Sequence, residues 1–128
     1  MANGFWRKPE TPNEETQGNR LCNWLSVQLI SIMFVVDLRY VVPLERIDAH
    51  MKAHMQFLHK YYRENVFVAS GRKVPRTGGI ILALAPSREA VEAIMREDPF
   101  CAHGLAEFTV TEFLTSQVHP ELKKFLKA

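Results

Sequence analysis

Residues 33–40 read MFVVDLRY. Side chains alternate along a strand, so Phe34, Val36, Leu38 and Tyr40 share one face and Met33, Val35, Asp37 and Arg39 the other. The first face is apolar throughout. The second is apolar only in its upper half, through Met33 and Val35. A strand that is greasy on both sides needs cover on both sides, and that requirement governs the reading of everything around it.

Downstream, Pro43 suits the first turn of a helix, and Glu45 suits its positive end. Leu44, Ile47, Met51, Met55, Leu58 and Tyr62 recur at spacings of three and four, which predicts one core-facing helix. Asn65, tolerant of the left-handed conformation, closes it. Residues 66–70, VFVAS, form a second strand, and 71–79, GRKVPRTGG, a turn-rich loop. Residues 80–84, IILAL, have no polar alternation and read as a central third strand. Ser87 is a candidate N-cap for a short helix with Ala90, Val91 and Ile94 inward. Asp98-Pro99 ends that helix. Ala106, Phe108 and Val110 alternate with Glu107, Thr109 and Thr111 in a fourth strand reaching about Phe113. Pro120 opens a last amphipathic turn with Leu122, Phe125 and Leu126.

The order is βαββαβ, an α+β domain. Two helices cover one face of a four-stranded sheet. No spare segment is large enough for the other, so a homodimer packed sheet to sheet is expected.

The chain has 128 residues, 47% hydrophobic and 23% charged, with a net charge of +2. This is one ordinary globular domain, and the charge is too small to argue for nucleic acid. Residues 1–20 are rich in Pro, Gly, Asn and Glu, and read as disordered. The apolar run 21–36, LCNWLSVQLISIMFVV, is shorter than the roughly 20 residues of a spanning helix and contains Asn23, Ser26, Gln28 and Ser31. No membrane or secretory role is expected, and the location expected is cytoplasmic. Residues 1–32 are taken as a flexible extension of uncertain status, with Met33 an alternative start. Residues 33–114 are the domain, and 115–128 a tail with a short helix. Cys22 and Cys101 lack metal spacing and read as free thiols.

His54 lies about 40° from the centre of the predicted helical stripe, at the edge of the buried face. An imidazole there can reach a cleft and move protons near neutrality, or it can simply be a structural histidine. His50 and His54 are an i, i+4 pair able to bind zinc, with Asp37, Asp98 or His103 as third ligand, but no HExxH or cysteine cluster supports a metal and none is expected. Asp98 is either a turn starter before Pro99 or, since both helices share one sheet face, a carboxylate that orients an imidazole. Arg72, Lys73 and Arg76 could hold an anionic group, with Ser70 adding a hydroxyl. Such a loop is also an ordinary solvated connection. Cys101 reads better as a small buried hydrophobe than as a nucleophile.

The strand MFVVDLRY, His54 in HMQFL, then ASGRKVPRTGG, IILA, DPF and GLAEFTVTEF in this order resemble the YCII-related domain family over about 33–113. The resemblance implies a ferredoxin-like dimeric α/β barrel. It implies an active-site pair of one histidine and one aspartate, here His54 and Asp98. Some members of the family are lyase-like, including a dehydrochlorinase acting on a chlorinated hydroxyhydroquinone. The function expected is therefore His–Asp acid/base chemistry on an anionic or phenolic small molecule, lyase-like or dehydrochlorinase-like, with no cofactor. The alternative is a non-catalytic dimeric module that binds a small ligand.

Overall fold

The computed structural model describes residues 32–126. The leader, Cys22 and the question of the start residue lie outside the described residues. The first strand, β1, is Ile32–Tyr40. Two helices follow, α1 (Leu44–Ala49) and α2 (Met51–Arg63), then strands β2 (Phe67–Arg72) and β3 (Gly78–Leu84). Next come α3 (Arg88–Met95), the one-turn helix α4 (Pro99–Ala102), β4 (Ala106–Leu114) and α5 (Pro120–Leu126).

The strands form one antiparallel sheet in the order β2-β3-β1-β4. This is the α+β arrangement expected, with the ferredoxin-like strand order. The first-quoted strand is central, and its period-two face is the core. Phe34 and Val36 are fully buried, together with Leu38, Ile81, Ala83 and Phe67 of the same sheet face. Ile47, Phe57, Leu58, Tyr61, Val91, Met95 and Phe100 close over them from the helices. Ser87 caps α3, its Oγ accepting the Ala90 N–H at 3.1 Å. Asn65 takes the left-handed conformation at φ 59°, as its position after α2 requires.

Three boundaries differ from the sequence reading. The single helix expected from Pro43 to Asn65 breaks at His50 (φ −108°, ψ 7°), and Pro43 precedes its first turn. Beyond the break the buried stripe is His54, Phe57, Leu58 and Tyr61, while Met55 is 42% exposed. Aromatic area explains the rotation. Phe57 and Tyr61 bring their rings to 5.7 and 5.4 Å from that of Phe67, and Tyr62 packs edge-on against the same ring at 6.0 Å from the flank of the stripe. Secondly, β2 runs on to Arg72 and β3 begins at Gly78, so the expected nine-residue loop shrinks to 73–77. Thirdly, Asp98-Pro99 both ends α3 and starts α4.

The opposite sheet face carries Val35, Ile80, Leu82 and Leu84, all partly exposed, beside the ion pairs Lys73–Asp37 and Arg39–Glu107. Met33, also on this face, is buried, as is Leu126 of α5; neither belongs to the main core.

Gly78 fixes how β3 meets β1. A Cβ built on it would lie 1.8 Å from the Leu38 carbonyl oxygen, and backbone cannot yield as a flexible side chain would. We expect Gly78→Ala to lower stability by about 2–3 kcal/mol, the cost of overpacking. A urea midpoint equal to that of the parent protein would show that the β1–β3 approach is looser than this.

Candidate active site

His54 sits inside the buried stripe of α2 rather than at its edge, and is 9% exposed. The rotation that buries Phe57 and Tyr61 carries it inward. Asp98, 0% exposed, is the N-cap of α4. Its Oδ1 accepts the Phe100 N–H at 3.0 Å and lies 2.9 Å from His54 Nδ1. An oxygen already accepting from a backbone amide accepts from the imidazole too, so Nδ1 carries the proton and Nε2 keeps its lone pair. The Phe100 ring stacks on the His54 ring at 4.0 Å between centroids and 10° between planes. One helical turn thus supplies the carboxylate that fixes the tautomer and the ring that fixes the plane. Asp98 Oδ2 is buried with no partner among the described residues. Leaving a buried acceptor so costs about 1–3 kcal/mol.

His54 and Phe100 help to line a cavity of about 540 Å³ between α2 and the sheet. Ser70, Arg72 and Arg76 line it as well, so four of the residues singled out from sequence meet around one space, while Asp98 stands behind His54 and Lys73 turns away to Asp37 on the other sheet face. Period two explains Ser70 and Arg72: they pair with Ile81 and Gly79 on the covered face of the sheet. The three polar groups are not equally available. Ser70 Oγ shares a 2.7 Å hydrogen bond with Tyr62 Oη. Arg76 is paired with Asp48 of α1 and holds that carboxyl below the usual carboxylate range through their hydrogen bond. Arg72 has no hydrogen-bond or ion-pair partner among the described residues. It is the cation free to meet an anion. Met51, Met55 and Leu58 supply an apolar wall.

Sequence reasoning missed Asp48, Tyr62 and the stacking role of Phe100. The Asp-Pro-Phe run was visible, but nothing in it told which ring Phe100 would meet. The zinc geometry considered for His50 and His54 does not form. Asp37 is on the other sheet face and paired with Lys73, while His50 Nδ1 donates to the Arg46 carbonyl at 3.2 Å and its ring tilts against His103. No group of three His, Cys, Asp or Glu among the described residues is arranged to hold a metal ion. No helix among them is long and apolar enough to cross a membrane.

Fold and cleft together define a small α+β protein in which a buried histidine–carboxylate pair opens on a cavity with one uncommitted arginine. The chain belongs to the YCII-related domain family, whose model matches residues 33–114. Among solved structures it is similar to 5-chloro-2-hydroxyhydroquinone dehydrochlorinase of Burkholderia phenoliruptrix AC1100, in complex with 2,5-dihydroxybenzoquinone. The two share 22% identity at a TM-score of 0.53, over 63% of this chain and 92% of that one. At that identity the likeness speaks for the fold. No curated protein matches.

Cys101 of α4 neighbours the pair without the setting of a nucleophile. Burial first, and the Asp98 charge second, push its thiol up to about 12. The thiolate is the reactive form, so its fraction at pH 8 is very small. In a Cys22→Ser background, we expect iodoacetamide at pH 8 to label Cys101 at least about tenfold more slowly than it labels glutathione. Labelling at the glutathione rate would show an activated thiol.

Proposed function

We propose that the protein is a small-molecule enzyme in which His54 is the general base and then the general acid, oriented by Asp98. The observation that carries this reading is the 2.9 Å contact between His54 Nδ1 and Asp98 Oδ1, with the ring bordering the cavity. Geometry of that kind leaves Nε2 as the proton acceptor and gives the resulting imidazolium a carboxylate to rest against.

In a lyase-like reaction, Nε2 takes a proton from the substrate. The electron pair left behind forms a double bond, and the leaving group departs as an anion. The proton then returns to product or solvent, and no cofactor enters. A flat, anionic or phenolic substrate fits an apolar wall of Met51, Met55 and Leu58 facing Arg72. The dehydrochlorinase neighbour acts on a molecule of this type, as its name states. Arg76, already matched by Asp48, shapes the mouth and contributes less net attraction.

We further propose that the protein works as a homodimer in the cytoplasm, the second copy covering the open sheet face in the manner of a dimeric α/β barrel. Val35, Leu82 and Leu84 at one end of that face supply apolar surface for it, and the paired charges at the other end supply a polar rim. Residues 33–114 are the working unit in this reading, with 115–128 as a tail.

The test is a panel of chlorinated and unchlorinated hydroxyhydroquinones, followed for turnover and binding. His54→Ala should abolish turnover and leave the circular dichroism unchanged. Arg72→Ala should weaken binding of 2,5-dihydroxybenzoquinone about 10- to 100-fold, as expected for loss of a hydrogen bond to a charged group. Full turnover in His54→Ala ends the acid/base proposal; binding without conversion across the panel favours a ligand-binding module. Sedimentation equilibrium at micromolar concentration should give twice 14.7 kDa. A single-chain mass there would contradict the dimer.

A further inference from the structure

The acid/base reading needs the turn before α4 to be held against α2 within a fraction of an ångström. Resting on that reading, we propose that Tyr61 and Glu97 are positioning residues that keep His54 and Asp98 in hydrogen-bonding register.

Tyr61 follows His54 by seven residues, two helical turns, on the same buried stripe of α2. Glu97 immediately precedes Asp98. Tyr61 Oη donates to Glu97 Oε2 at 2.6 Å, and Lys60 Nζ donates to Glu97 Oε1 at 3.1 Å. Among the described residues, these two bonds and the His54–Asp98 bond are the hydrogen bonds that join α2 to residues 96–98. They act in parallel on the same two segments, so one end cannot shift without loading the other.

The two ends differ in setting. The Tyr61 ring is buried against Phe57 and Phe67 and cannot swing, so its hydroxyl is a fixed post. The Tyr61 hydroxyl bond, with Lys60 adding, holds the Glu97 carboxyl below its usual range against a smaller effect of burial. Glu97 is therefore ionised at neutral pH and the bond is charge-assisted, which accounts for its shortness. On its other side the turn hangs from α3 by ordinary backbone bonds, Glu97 N–H to the Ile94 carbonyl and Asp98 N–H to the Met95 carbonyl. Those fix the turn to α3 but not to α2. Phe100 stacking holds the plane of the His54 ring, and a water-facing clamp next to the buried pair adds a hydrogen-bonded constraint on its register.

The readout is the His54 ring itself, by nitrogen-15 NMR of the full chain with labelled histidine. In the parent protein the ring should hold the Nδ1–H tautomer with slow solvent exchange of that proton. Tyr61→Phe removes one hydroxyl and keeps the ring. It should speed the exchange about tenfold, the equivalent of one net hydrogen bond, and bring in the Nε2–H tautomer. Glu97→Ala should do the same, the double variant should be no worse than either, and Glu97→Gln, which keeps an acceptor for the hydroxyl, should restore slow exchange. Parent-like exchange and tautomer in Tyr61→Phe would overturn the positioning role even if thermal stability fell. Asp98→Asn separates the two levels. If it too leaves the ring unchanged, the His54–Asp98 pair is what fails; if it alone alters the ring, only the clamp does.

Discussion

A carboxylate with no exposure to water is the constraint on which the rest of this molecule depends. Asp98 survives burial because two donors converge on Oδ1, the Phe100 amide and the His54 imidazole. Removing either would leave a charge in the interior without enough compensation. Each donor in turn imposes structure. The amide is available because Pro99 opens a new helix one residue after Asp98, and the first amides of a helix have no partners of their own. The imidazole arrives because the break at His50 turns α2 so that His54 joins Phe57 and Tyr61 on the inner stripe. Phe100 then closes the arrangement from the other side by stacking. The one-turn helix supplies one donor to the buried carboxylate, and the aromatic packing that turns α2 after His50 supplies the other.

The three cations Arg72, Lys73 and Arg76 are separated by the pleat of the sheet. Arg72 is the last residue of β2 and points with Leu38 and Ile81 toward the helices, whereas Lys73 reaches Asp37 on the other face at 2.6 Å. Arg76, past the turn, is drawn to Asp48 of α1. Three neighbouring cations therefore have three fates, and the cavity meets one unpaired charge instead of three. That charge stands at the end of β2, in the same cavity that His54 borders. A basic patch would have gathered anions without orienting them.

Much of this was legible in the sequence because it is periodic or local. Alternation along 33–40 and 106–113 gave the strands and the core face, the Ser87 cap and Asn65 marked helix ends, and Asp98-Pro99 marked a turn. That both helices had to share one sheet face let Asp98 approach the helix of His54, and the resemblance to the YCII-related family named the two as a pair. The angle of His54 was set wrongly, since a straight helix was assumed through His50 and the Met55–Tyr62 side was weighed equally with the Phe57–Tyr61 side. Contacts that depend on how far one element slides past another carry no local signature. Asp48 with Arg76, Tyr62 with Ser70, Phe100 on His54 and Tyr61 with Glu97 are all of this kind.

The open sheet face bears on the cavity through backbone shared by both. Residues 72 and 73 are consecutive, so the Lys73–Asp37 pair anchors one side of the peptide whose other side carries Arg72. Its 2.6 Å length and partial burial give it some strength already. An exposed ion pair is weak because water screens it and its long side chain is free to wander. Covering the face would remove both weaknesses for a pair whose geometry is already formed. In the proposed dimer, what packs on the back of the sheet would then bear on how firmly Arg72 is held at the front, through one peptide unit rather than through any rearrangement of the core.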